Sequence, residues 1–143
     1  MRIFTVLLLS LGLGVSSFAA SKKEIHPKEF AAGGPFSPGI LIDGTLYVAG
    51  QTGQDLKTHQ IPDDFEAEVK QALENIGLVL KEAGMSFDNA VTVQVYLTDM
   101  SLFPRMNAVY TTFFKEPRPA RTTVGVAKLV GTAHIEITVT AHK

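Results

Sequence analysis

The sequence predicts an α+β domain, one mixed β-sheet with two helices packed on one face, and three observations carry that reading. Apolar residues recur at three- and four-residue spacing over residues 63–83 and again over 102–114, which is the period of helices with one buried stripe. Shorter runs around them are rich in Val, Ile and Thr and alternate at the period of strands. The elements follow one another as ββαβαββ, and amphipathic helices among more numerous strands bury their apolar stripes most economically as a layer on one sheet.

The elements are taken in chain order. Met1 and Arg2 precede an almost wholly Leu, Val, Ile and Phe run over residues 3–13, and small residues including Ser17 and Ala19 follow before the polar Ser21-Lys22-Lys23-Glu24. That is the layout of a secretory signal peptide over residues 1–20, cleaved after Ala19 or Ala20. The run is shorter than the ~20 apolar residues that span a bilayer, which weighs against a membrane anchor. Residues 21–143 then form one domain. Residues 21–38 read as a lead-in strand or arm broken by Gly33-Gly34-Pro35 and Pro38. Ile40-Leu41-Ile42 and Leu46-Tyr47-Val48-Ala49 flank Asp43-Gly44-Thr45 and predict a hairpin.

The first helix takes Asp63 or Asp64 as N-cap and stops at Gly84, with Glu66, Glu68, Lys70, Gln71, Glu74 and Lys81 on its water-facing side. Residues 90–97 are a strand, and Pro117 and Pro119 end the second helix. The last two strands, residues 122–127 and 135–141, read as a hairpin turning near Gly131. With that turn, Glu136 faces Gly125 and Arg121 lies about 13 Å further along its strand. A sheet with helices on one face leaves its other face open, and residues such as Val93, Val124 and Val139 are expected to bury it against other copies of the chain.

Composition excludes several chemistries. There is no cysteine, so neither disulfides nor thiolates take part. Thirteen Lys and Arg balance fourteen Asp and Glu, and removing residues 1–20 costs only Arg2, so no basic footprint for nucleic acid or an anionic membrane remains. His26, His59, His134 and His142 lack ligand spacing, which argues against a metal site. Ser37, Ser86 and Ser101 lack a nucleophile-elbow context. Gly50-Gln51-Thr52-Gly53 is no phosphate loop, and its glycines instead let a ligand approach the main chain.

Arg121 and Glu136 put one cation and one carboxylate on short apolar strands. They read either as two solvated strand residues or as a site. In a single chain they point at different neighbourhoods, so a joint site forms most easily where Arg121 of one copy meets Glu136 of another.

Gly34-Pro35-Phe36-Ser37-Pro38, Val48-Ala49-Gly50-Gln51, Asn107-Ala108-Val109-Tyr110 with Phe113-Phe114, Pro119-Ala120-Arg121-Thr122 and Ile135-Glu136-Ile137 together resemble the Rid family of reactive-intermediate deaminases, also known as the YjgF-type or L-PSP family. The resemblance covers residues 24–142. It implies a chorismate-mutase-like fold, a homotrimer with intersubunit clefts, and hydrolysis of small 2-imino or enamine acids (of the 2-iminobutanoate and 2-iminopropanoate type) to 2-oxo acids and ammonia without a cofactor. By the same resemblance Arg121 clamps the substrate carboxylate and Glu136 orients the attacking water. Gly50 offers backbone contacts, Asn107 shapes the cleft, and the main chain at Thr123 holds the imine nitrogen. Phe36 and Ala49 stand where the family often places tyrosine and serine, Thr138 replaces a frequent glutamate, and Thr123 stands where some members carry cysteine. The resemblance thus supports carboxylate binding more directly than fast turnover, and a carboxylate-binding or protein-protective module is the alternative. An endoribonuclease is a third, against which the missing basic groove weighs. The signal peptide implies a periplasmic or secreted protein, or a cytoplasmic one if it is not used.

Overall fold

The computed structural model describes residues 21–143, and the expected signal peptide lies outside the described residues. The elements are β1 (Lys23–Ile25), β2 (Gly39–Ile42), β3 (Thr45–Thr52), α1 (Phe65–Glu82), β4 (Ala90–Leu97), α2 (Phe103–Phe113), β5 (Ala120–Gly125) and β6 (Ile135–His142). One six-stranded sheet has the order β1-β2-β3-β6-β4-β5, and both helices pack on one of its faces. The lead-in thus contributes an edge strand. At the β2–β3 turn Asp43 and Gly44 both have positive φ, 47° and 74°, as a two-residue hairpin requires.

Helix α1 forms where the spacing of its apolar residues places it. The Asp64 carboxylate accepts a hydrogen bond from the Ala67 N–H at 2.9 Å and caps the first turn. Gly84, with φ of 70°, leads the chain away beyond the last turn. Val69, Ala72, Leu73, Ile76, Val79 and Leu80 are buried against the sheet, where Leu46, Val95, Ile135 and Ile137 meet them.

Three expectations need correction. The last two strands form no hairpin. β5 pairs with β4 in parallel, and β6 lies between β3 and β4, antiparallel to both. The physical reason lies in what each strand turns toward the helices. β6 offers Ile135, Ile137, Val139 and Ala141, all buried, and that row is best placed in the middle of the sheet. β5 offers Arg121 and Thr123, which an edge strand tolerates. Helix α2 supplies the crossover that a parallel β4–β5 pair demands.

Val93 and Val139 do not lie on the open face. They are 1% and 2% exposed beneath the helices, because they pair with each other in that row. Val124 does lie on the open face, whose other members include Tyr47, Gln94, Thr138 and Thr140.

Glu68 is not on the water-facing side of α1 but fully buried. Its carboxylate accepts the backbone N–H of His134 at 2.7 Å and of Ile135 at 3.3 Å, and pairs with His134 Nδ1 at 2.8 Å. Gly53 packs so tightly on it that a Cβ there would stand 2.4 Å from its Cγ. Asn75, one further buried polar residue of α1, donates to the carbonyls of Thr52 and Gln54 at 3.2 and 2.9 Å. Together these two side chains tie the end of β3 and the start of β6 to α1. Glu68→Ala leaves the buried Ile135 N–H and the part-buried His134 N–H without an acceptor and is expected to lower unfolding free energy by about 2–3 kcal/mol, with Glu68→Gln costing less. Urea denaturation checks it, and an alanine variant as stable as the parent would remove Glu68 from this role.

Candidate active site

The residues expected at the site form two groups, and a single chain does not bring them together. The first lies on β3, β6 and the loop before β2. At the β3–β6 ladder the register shifts between Val48 and Gln51, leaving Ala49 and Gly50 as a bulge opposite Thr138. The Ala49 N–H donates to the Pro38 carbonyl at 2.9 Å, and Gln51 Nε2 donates to the Ala49 carbonyl at 3.2 Å, which together fix the bulge. The Glu136 carboxylate lies directly on Gly50. A Cβ at position 50 would stand 1.9 Å from its Oε1, so only glycine leaves room for it. Phe36, 66% exposed, shares a cavity of about 280 Å³ with Gly50, Gln51, Pro38, Leu56 and His59.

The second group lies at the far edge, on β5 and α2. Arg121 pairs in register with Val93, so it faces the helices, whereas Glu136 pairs with Tyr96 on the opposite face. β4 separates the two strands, and three residues separate the two register positions. At ~4.8 Å between strands and ~3.3 Å per residue the backbones are about 14 Å apart. The Arg121 guanidinium lies over the Tyr110 ring at 4.5 Å and the Phe103 ring at 5.5 Å. Among the described residues no Asp or Glu pairs with it. Arg105 on the same helix layer is the contrast, because Glu66 and Asp64 hold it and its bond to Glu66 lowers that carboxyl's pKa.

Two concavities meet at Arg121. One, of about 460 Å³, is lined by Met100, Phe103, Arg121 and Thr123; the other, of about 390 Å³, holds Asn107, Tyr110 and Arg121. Among the described residues, the buried side-chain polar atoms without a hydrogen-bond partner are the Thr123 Oγ1 and the Tyr110 hydroxyl. Both flank Arg121. Burial raises the Tyr110 pKa, and the charges of Arg121 and Arg118, with the approach of the Arg121 N–H groups to the hydroxyl, partly offset it. A free cation beside orphaned polar groups is an arrangement that binds an anionic, hydrogen-bonding ligand.

Sequence reasoning missed the floor of this half-site. Phe103 and Tyr110 fall in the apolar stripe of residues 102–114, which the period alone assigns to packing, and the signal that would have found them is a cation on an edge strand with no acidic residue near it. Glu68, which holds the strand that carries Glu136, was hidden because its partners lie 66 and 67 residues away.

The comparisons with known proteins agree with this architecture. Residues 26–143 match the family model described as Endoribonuclease L-PSP. The chain is 42% identical over 108 residues to the mouse 2-iminobutanoate/2-iminopropanoate deaminase, covering 75% of this chain and 80% of the mouse protein. It is 36% identical over 119 residues to a RutC family protein of Aquifex aeolicus, covering 82% and 95% of the two chains. Among solved structures, the Rid family protein YyfA of Yersinia pestis superposes with a TM-score of 0.82 at 34% identity, covering 86% of this chain and all of that one. With a family model spanning all but the first residues of the described fold, the chain belongs to the endoribonuclease L-PSP family, the group that includes the YjgF and Rid proteins.

Proposed function

We propose that this protein is an exported imine deaminase that works as a homotrimer, hydrolysing small 2-imino or enamine acids to 2-oxo acids and ammonia. The observation that carries the reading is the unneutralised Arg121 guanidinium lying on two aromatic rings beside the orphaned Thr123 and Tyr110 hydroxyls. A similar mouse protein bearing the deaminase name supports the choice of reaction. Because Arg121 and Glu136 lie on opposite faces and different strands, the working cleft joins the β5 edge of one copy to the β3–β6 bulge of the next.

In that cleft Arg121 donates two parallel N–H bonds to the substrate carboxylate. The main chain at Thr123 holds the imine nitrogen, and Asn107 closes the side of the cleft. Glu136, set against Gly50, accepts a proton from the attacking water as its oxygen adds to the imine carbon. The nitrogen takes up protons, the C–N bond of the tetrahedral adduct breaks, and ammonia leaves a 2-oxo acid. Phe36 and Ala49 place no hydroxyl on this side, and that favours, as a second reading, a module that binds carboxylates without turning them over.

Protein recovered from outside the cytoplasm should begin at Ala20 or Ser21 by mass spectrometry; an intact Met1 there would remove the signal peptide from the proposal. Light scattering is expected to report about three copies per particle. In an assay that generates 2-imino acids with an amino-acid oxidase, the protein should slow semicarbazide trapping of the imine, whereas the binding module would leave the rate unchanged. Arg121→Ala should cut kcat/KM about 10- to 100-fold with the trimer intact, and Arg121→Lys should rescue little. Equal activity in both variants would strip Arg121 of the clamp role, and dissociation of the trimer would make it a structural residue.

Gly50→Ala tests the other half of the cleft. The added methyl collides with the Glu136 carboxylate and must displace it. The expected outcome is a fall in kcat of about tenfold or more with little change in KM, since Glu136 acts on the water rather than the carboxylate. A variant with parental kcat would show that Glu136 does not work from this position.

A further inference from the structure

The concavity on the α2 side of Arg121 holds a second arginine. Arg118 lines it together with Asn107, Tyr110, Thr111, Pro119 and Arg121. Its lining offers two guanidinium groups, one amide and the Tyr110 hydroxyl, which has no partner although Tyr110 is 2% exposed. Among the described residues no Asp or Glu lines it. Pro117 and Pro119 flank Arg118 and restrict its backbone, so the guanidinium projects from a chain with few conformations. Glu116 is the only acidic partner of Arg118 among the described residues; its side chain is 76% exposed, and an exposed pair two residues apart is readily exchanged for a ligand.

We propose that this concavity is a two-carboxylate site, in which Arg121 holds the carboxylate next to the reacting carbon and Arg118 holds a second carboxylate at the far end of the ligand. The preferred ligand is then a dicarboxylic 2-imino or 2-oxo acid. The ligand class deepens the deaminase reading and rests on it for the imino group alone. A monocarboxylate engages one guanidinium and leaves the other matched only by Glu116. A dicarboxylate matches both cations and brings acceptor oxygens to Asn107 and the Tyr110 hydroxyl. The class of reaction that supplies such a substrate is a two-electron oxidation of the amino-bearing carbon of an acidic amino acid, its hydride passing to the oxidase's own electron acceptor and a proton leaving, so that the amine becomes an imine.

Calorimetric titration of the full chain with 2-oxoglutarate and with 2-oxobutanoate tests this without requiring turnover. The dicarboxylate is expected to bind about tenfold tighter or more, as one added charge-assisted pair allows. Arg118→Ala should bring the two affinities within about twofold of each other, and Glu116→Gln, which removes the competing carboxylate, should widen their ratio. Equal affinities in the parent, no binding of either acid, or a ratio unchanged in Arg118→Ala overturns the proposal. Displacement of 2-oxoglutarate by an equal concentration of inorganic phosphate overturns it too, in favour of a phosphate site. Imine turnover without dicarboxylate preference sinks this inference alone, and dicarboxylate preference without turnover sinks the deaminase reading alone.

Discussion

Everything at the two half-sites depends on burying β6 in the middle of the sheet. Its helix-facing row, Ile135, Ile137, Val139 and Ala141, is at most 2% exposed. Each of the branched side chains contributes about 1.5–3 kcal/mol by leaving water. No other strand of the C-terminal half offers so continuous a row, so β6 takes the centre and β5 is left to pair with the outer side of β4. From that single ordering the positions of Arg121 and Glu136 follow. One is carried to the sheet's edge on the helix face, the other to an interior strand on the open face. The fold therefore holds the cation and the carboxylate at two separate places on the chain.

Glu68 shows how the centre is fixed at its end. Strand β6 begins after a long connection, and its first N–H groups would be unpaired where the ladder starts. A buried carboxylate on α1 accepts two of them, and His134 closes over it with its ring nitrogen. Burying a carboxylate is costly in isolation, and here three donors satisfy it. The glycine at position 53 is part of the same device, because a side chain there would meet both the Glu68 backbone and its Cγ. Glu136 is one residue beyond the pinned segment.

Much of this was legible in the sequence because it is local. The Asp43-Gly44 turn, the span of α1 with an Asp cap and Gly84 stop, and the limits of β4 are each encoded within a few residues, and the structure places them there. The β5–β6 pairing was not legible. Two alternating runs, 122–127 and 135–141, separated by seven residues that include Gly131, look like a hairpin, and only competition for the sheet centre decides otherwise. That competition could be read in retrospect, since Arg121 and Thr123 alternate where Ile135 and Ile137 do. Val93 and Val139 misled for a related reason: alternation says that two faces differ without saying which is covered. The buried state of Glu68 could not be read at all, because nothing near it in the chain resembles its partners.

The contrast between Arg105 and Arg121 bears on why the second is a candidate site and the first is not. Arg105 also lies near an aromatic ring, that of Phe65 at 5.5 Å, yet two carboxylates take its charge. Among the described residues Arg121 has rings alone. A ring face attracts a cation without neutralising it and leaves the planar N–H edges free, so the guanidinium is held in place while its hydrogen-bonding capacity is unspent. Folding ordinarily removes such loose ends, and a buried polar atom without a partner costs about 1–3 kcal/mol. Among the described residues the Thr123 and Tyr110 hydroxyls carry that cost, and both flank this one arginine. Three polar groups gathered where the edge strand β5 meets α2 are better explained by a ligand that completes them than by packing, because packing alone would be served as well by valine and phenylalanine at positions 123 and 110.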